Sequence, residues 1–423
     1  MGTNKFVGFA LFSAFAWLGM VAASAVRAEE MSADQYAARA IQFVEEGNQE
    51  AALADFNKAV ELAPDKPIHY RNRAAFYAMT KQWDKVIADY DSVLKLQKND
   101  QPTRLNRGLA YVQLGKLTEA LPDFEAVLKE DPSNESALKY RAYIDVALKK
   151  DGAAVADLTR LIEKSPNDPQ YYKARGDANA GQGNWPSAIS DYSKALELNP
   201  KDVGILSARA IAYLNAGEKE KALPDLDALL EANPDNIEFL RLRAQVSYDV
   251  GQLDSAIDDY SKAIELKPDD ASLYASRGFG YLKKGDKDGA VADFSKAIEI
   301  KPDAAYYEAR AYLYDGEGDT AKEIGDVTRL ITFMPSDMSL MLRRADLYRK
   351  LKKYDEALAD YEQVLTGDPK SIPALAGKGE VIAKKGDRRG GAAQLQEALQ
   401  LTSDPKEKEY IQAKLREIGV GPL

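Results

Sequence analysis

Arginine and aspartate recur along this 423-residue chain at a fixed step. From Arg39, arginine returns at Arg73, Arg107, Arg141, Arg175, Arg209, Arg243 and Arg277, always at the same interval. Arg310 then arrives one position early, Arg344 resumes the interval, and Lys378 takes the last place. Aspartate keeps step at Asp55, Asp89, Asp123, Asp157, Asp191, Asp225, Asp259, Asp293, Asp326 and Asp360, with Gln394 last. A row of guanidinium groups could grip carboxylates or phosphates along a groove. The same groups could instead pair with aspartates on an adjoining helix. The structural reading is favoured, because the two residues shift together after Pro302 and are lost together in the last unit. Asp157 could reach Arg141 in its own unit or Arg175 in the next. The next unit is preferred, since an array must specify its stacking.

Other chemistry is scarce. There is no cysteine, hence no thiolate metal site, and a single histidine, His69, which reads as a surface or groove residue. No phosphate-binding G-x-x-x-x-G-K-[ST] loop occurs. Gly316-x-Gly318 has no strand before it, and Asp286–Gly289 lacks the further acids of a calcium loop, so both read as helix turns. No catalytic, cofactor-binding or metal-ligating residues are expected. Asn134-Glu135-Ser136 is a glycosylation sequon that matters only in a eukaryotic secretory pathway. The net charge of −10 disfavours nucleic acid as a partner.

The repeating beat must be carried by repeating elements. In 107–124, Arg107, Gly108 and Tyr111 share one face of a first helix, Gly115 breaks it, and Ala120, Phe124 and Val127 form the inward face of a second. Asp131-Pro132 stops that helix. One such hairpin cannot cover its apolar stripe alone, so neighbours must stack.

The order of small residue, glycine, alanine, aromatic, alanine and proline, over a period of about 34 residues, resembles the tetratricopeptide repeat. In the seventh copy these are Ala244, Gly251, Ala256, Tyr260, Ala263 and Pro268. Eleven copies span 33–403, with a capping helix at 404–418. There Asp404 would cap, Glu407 would close a capping box, and Ile411, Leu415 and Ile418 would face inward. The resemblance implies an all-α fold, a right-handed superhelical α-solenoid of helix-turn-helix repeats. Departures stand at Asp145, Asn179, Glu323 and Gly390-Gly391, and at Pro122 and Pro224 in second helices. The shortened junction after Pro302 is expected to bend the array.

The resemblance also implies that first helices line a concave face that binds protein or peptide partners. Its candidates are Arg71, Ala75, Leu105, Leu109, Val112, Lys139, Tyr143, Lys173, Asp177, Ile211, Leu214, Arg241, Tyr248, Phe279, Leu282, Tyr312 and Arg349. These side chains could equally pack between adjacent first helices. Asn72 and Asn106 suit the family's carboxylate clamp, but Ala37 and Ile41 leave that clamp incomplete.

Residues 6–26 carry no charge, and Ala23-Ser24-Ala25 or Val26-Arg27-Ala28 offers a cleavage site before Glu29-Glu30. Residues 1–28 therefore read as a secretory signal peptide, with an uncleaved membrane anchor through 6–26 as the rival. The expectation is a non-catalytic interaction scaffold without cofactors, exported and periplasmic. A membrane-tethered assembly factor or a regulatory subunit of an enzyme complex is the alternative. If the arginines hold the array together, Arg175→Leu should lower the melting temperature far more than Lys201→Ala. A half-buried partner lost costs roughly 3–5 kcal/mol, against about 0–1 kcal/mol for an exposed pair. Equal melting temperatures would refute it.

Overall fold

The computed structural model describes residues 31–419, so the expected signal or anchor segment lies outside the described residues. These residues form 23 α-helices and no strand. They divide into two compact units between Ala216 and Gly217. The first unit holds hairpins Ala33–Glu45 with Gln49–Leu62, Pro67–Met79 with Trp83–Leu96, and Gln101–Gln113 with Leu117–Glu130. It continues with Glu135–Ala147 and Asp151–Lys164, Pro169–Gly181 and Trp185–Leu198, and ends on Val203–Asn215. The second unit opens on Lys219–Ala232. It adds Ile237–Asp249 with Leu253–Leu266, Ala271–Lys284 with Lys287–Ile300, and Ala304–Glu317 with Thr320–Phe333. Met338–Lys350 with Tyr354–Gly367, Ile372–Lys384 with Arg388–Leu401 and the single helix Pro405–Glu417 complete it. Repeats are numbered 1 to 11 in this order, Val203–Asn215 and Lys219–Ala232 being the helices of repeat 6.

Sequence sets the helix ends. Asn48, Asp100, Asn134 and Asp202 each accept a backbone N–H of the first turn they precede, one of the donors a helix leaves unpaired. Within a hairpin, the ring of the second helix lies on the small residue of the first. Phe124 and Phe294 are fully buried, against Gly108 and Gly278 respectively. Fully burying such a side chain contributes about 1.5–3 kcal/mol. The two glycines of repeat 11 also have a packing reason. A Cβ on Gly391 would stand 2.6 Å from the carbonyl oxygen of Gly379, so the two helix backbones meet there.

The shortened junction after repeat 8 is absorbed by the turn 301–303. Arg310 still donates to Ser295 in the preceding repeat, at a separation of 15 residues where other repeats use 16. Pro122 and Pro224 sit within their helices on exposed positions. At the C-terminus Asp404 caps the last helix, and Ile411 and Leu415 are buried. The expected box between Asp404 and Glu407 is not what closes it. Glu407 accepts the Thr402 hydroxyl, and that hydroxyl accepts the N–H of Asp404 at 3.1 Å.

Each hairpin turn needs one residue in the left-handed region. Glycine fills the place in most repeats, for example Gly115 and Gly251, but Lys81, Lys149 and Lys352 adopt φ of 57°, 58° and 59°. A Cβ costs energy in that conformation. Replacing Lys149 with glycine should raise stability by roughly 0.5–1 kcal/mol, less the entropy that glycine adds to the unfolded chain. Thermal melts of Lys149→Gly, alone and with Lys352→Gly, measure this; a lowered melting temperature contradicts it.

Candidate functional site

The arginines are bound inside the fold. Arg277 donates from Nε and Nη2 to both oxygens of Asp293, at 2.8 Å each. The same two-pronged pairing joins Arg73 to Asp89, Arg107 to Asp123, Arg141 to Asp157 and Arg243 to Asp259. Arg39, Arg175, Arg310 and Arg344 pair likewise with Asp55, Asp191, Asp326 and Asp360. Every one of these pairs lies within a hairpin. The preference for pairing Asp157 with Arg175 is therefore corrected: Asp157 holds Arg141, and Arg175 holds Asp191. The aspartate points back across its own hairpin toward the arginine of the same repeat. The planar guanidinium then has one nitrogen left on its other edge.

That nitrogen makes the link between repeats. Nη1 of Arg107 donates to Asp91 at 2.6 Å, that of Arg175 to Thr159 at 3.1 Å, and that of Arg277 to Ser261 at 2.9 Å. Arg73, Arg209, Arg243 and Arg344 reach Asn57, Ser193, Asp227 and Thr328 in the same way. All these acceptors stand two residues after an aspartate of the beat, on the preceding second helix. Their constant polarity at that offset was the available signal. Lys378, which replaces the last arginine, keeps only this backward link, to Glu362 at 3.2 Å.

Aromatic rings flank most of these cations. Arg73 lies 5.9 Å from the rings of Tyr70 and Tyr77, and Arg277 5.8 Å from those of Tyr274 and Tyr281. Each ring contributes about 0.5–1 kcal/mol or more as it is desolvated. The ring four residues after the arginine is missing at Asp145, Asn179, Ser247 and Ile382. Asn179 compensates by donating to Asp191 at 3.0 Å. Glu323, at a place for alanine, is answered by Arg343 at 2.7 Å. Asp145 is buried, and its carboxylate has no ion pair or side-chain hydrogen bond among the described residues. Burial raises its pKa, against the pull of Lys150 and Arg141.

His69 is not a surface residue. It is 1% exposed, with Nε2 3.3 Å from the Asp34 carboxylate, and neither ring nitrogen has a hydrogen-bond partner among the described residues. Burial lowers its pKa and favours the neutral ring. Asp286 caps a helix by accepting the N–H of Gly289, and Gly318 is a left-handed helix end. Among the described residues no group of acidic or histidine side chains is placed to hold a metal, and no helix is long and apolar enough to cross a membrane.

The candidate residues of the first helices divide in two. Leu105, Leu109 and Val112 pack on the core of repeats 3 to 5, and Leu282 on that of repeat 8. Arg71 is held by Asp100, Gln97 and Thr103, and Lys173 by Asp177, which also accepts the Tyr192 hydroxyl at 2.9 Å. Arg241 lies 3.8 Å from Asp270, and the Lys283 ammonium sits 4.3 Å from the Tyr248 ring. Arg349 joins Asp346, the Tyr361 hydroxyl and the buried Glu380, to which Tyr410 of the last helix also donates. Ala75 and Leu214 are half-buried and Lys139 is exposed. Four large side chains remain open: Tyr143 at 57%, Ile211 at 48%, Phe279 at 39% and Tyr312 at 66% exposure. Each is the ninth residue of its first helix.

Replacing Asp145 with asparagine should stabilise the protein at neutral pH by on the order of 1 kcal/mol, since an amide can bond Asp157 as Asn179 bonds Asp191. A carboxyl whose pKa is raised by folding favours the folded state while protonated. That benefit is lost as pH rises from the unfolded pKa through the folded one. The gain of Asp145→Asn should therefore be full above the folded pKa and vanish in acid. Melting curves from pH 4 to 8 that run parallel for the two proteins would contradict this.

Profiles of the tetratricopeptide repeat match residues 43–66, 74–145, 152–203, 180–246, 271–303 and 339–371, and one described as a TPR repeat matches 244–285. Among solved structures, the MamA protein is 23% identical, over 40% of this chain and 92% of that one, with a TM-score of 0.37. YrrB, a TPR protein with an unusual peptide-binding site, is 20% identical over 44% and 97%, at 0.38. Yeast Tom70 is 18% identical over 91% and 96%, at 0.30. These are likenesses of fold alone. With helical hairpins over more than half of the chain, in separate stretches between residues 43 and 371, matched by descriptions of one and the same repeat, the chain belongs to the tetratricopeptide repeat family.

Proposed function

We propose that this interaction scaffold holds protein or peptide partners on the face of its first helices. The observation that carries the reading is the pair Tyr143 and Ile211 in the first unit and, in the second, the pair Phe279 and Tyr312. These are large apolar side chains left open at one and the same helix position, in a family whose repeats serve protein–protein interaction. Aromatic residues are enriched at the cores of interfaces, and tyrosine is among the residue types that most often carry the binding energy. The charged groups on this face are largely spent on internal pairs, so contact there is mainly apolar. An amphipathic helix or an extended segment with spaced apolar anchors fits such a surface.

Catalysis has no place in this reading. The arginine row is consumed by its aspartates, and the lone histidine is buried beside Asp34. We place the protein in the cell envelope, exported by residues 1–28, on the strength of the uncharged run 6–26. Retention of that run would make the same scaffold membrane-tethered.

Crosslinking in native cells followed by mass spectrometry should recover a reproducible set of envelope proteins and a mature N-terminus near residue 29. Tyr143→Ser and Tyr312→Ser together should cut that capture at least tenfold without changing the melting temperature. Undiminished capture by the double variant sinks the first-helix face. An intact Met1 turns the localisation to the tethered form.

A further inference from the structure

On the opposite side of repeat 7, a notch of about 460 Å³ opens between two second helices. Glu220, Leu223, Pro224 and Asp227 of Lys219–Ala232 form one wall. Ser255, Asp258 and Asp259 of Leu253–Leu266 form the other, with Arg243 and Ser247 as the floor. Ser247 holds the place of the missing ring. In the neighbouring repeat 8 that place is Tyr281, 5.8 Å from its arginine, and in repeats 9 and 10 it is Tyr314 and Tyr348, at 5.8 and 5.9 Å. Of the other repeats without a ring, repeats 4 and 5 fill the place with Asp145 and Asn179, and repeat 11 with Ile382. Only in repeat 7 is the occupant too small to fill it. Arg243 thus keeps its Asp259 and Asp227 bonds while no ring among the described residues is stacked on its guanidinium.

Ser247 supplies a second, independent sign. It is 1% exposed and lines the notch, yet its hydroxyl has no hydrogen-bond partner among the described residues. Ser261 and Ser295, by contrast, bond to the carbonyl four residues back at 2.7 and 2.6 Å. The rim is acidic. Glu220, Asp227 and Asp258 are exposed, and among the described residues only Asp227 is paired, with Arg243. We propose that the notch is a binding site for a tyrosine side chain of a partner protein, presented in a basic segment. The ring takes the stacking place over Arg243 that Tyr281 takes over Arg277. Its hydroxyl meets Ser247, and flanking lysines or arginines meet Glu220 and Asp258. The site has second helices for walls and the first helix Ile237–Asp249 for its floor, and it uses none of the open ninth-position residues.

The test uses the full chain and the peptide acetyl-Lys-Tyr-Lys-amide, with saturation-transfer NMR and equilibrium dialysis as readouts. Saturable binding is expected, at least tenfold tighter than that of the Lys-Ala-Lys and Glu-Tyr-Glu counterparts, and weakening with salt. Ser247→Tyr supplies the ring from within. It should abolish binding while keeping or raising the melting temperature. Should that variant misfold, Asp258→Asn on the exposed rim should still weaken the lysine peptide severalfold and leave Glu-Tyr-Glu unchanged. Equal binding of the alanine peptide, or undiminished binding by a folded Ser247→Tyr, overturns the proposal.

Discussion

The guanidinium fork at the head of most hairpins is the contact on which the two units depend. Its two-nitrogen edge fixes the second helix against the first, through an aspartate whose side chain is almost wholly buried. Its remaining nitrogen fixes the first helix against the preceding repeat. One planar group therefore sets both angles that a stacked array has to define. A partly buried ion pair of this kind adds little net stability over an apolar one, but removing one partner leaves a buried charge uncompensated. Its value here is in specifying register. The shortened turn at 301–303 shows this: the chain lost a residue, and Arg310 still met both Asp326 and Ser295.

Because the ladder is internal, function has to come from what varies around it. Most departures from the repeat are answered nearby. Glu323 has Arg343, Asn179 has Asp191, and Gly391 faces Gly379 across a close backbone approach. Two departures have no such answer, Asp145 and Ser247. A repeat array tolerates them because each repeat touches only its neighbours, so a local cost does not spread through a shared core.

The hairpins were legible in the sequence because their signals are local: caps, a turn residue, small and aromatic residues at helical spacing. The partner of each arginine was harder to read. Asp157 stands almost midway along the chain between Arg141 and Arg175, and the small difference in spacing is within the uncertainty of a helix end. Only the direction in which the side chain leaves its helix decides, and spacing does not report it. His69 failed for a related reason, since one histidine near a helix start has no periodic neighbour to reveal which way it faces. The first-helix face was half legible. The same period produces Leu109, which packs inward, and Tyr143, which does not. The backward acceptors Asp91, Thr159 and Ser261 were in plain view, but differ in type from repeat to repeat and so do not register as a motif.

Strain is also unevenly spread, and repeat 4 adds a buried carboxylate to the left-handed lysine and uncapped helix that repeats 2 and 10 share with it. Lys149 is forced into the left-handed region, Lys150 gives its helix no side-chain cap, and Asp145 is buried without a bonded partner, all around one turn. Each feature lowers the free energy needed to open that hairpin, and a stacked array opens first at its least stable unit. Tyr143, among the most exposed aromatic residues of the first helices, stands two residues before Asp145. A partner that covers Tyr143 would bind beside this turn, and its binding energy would help to close what the chain's own contacts leave weak.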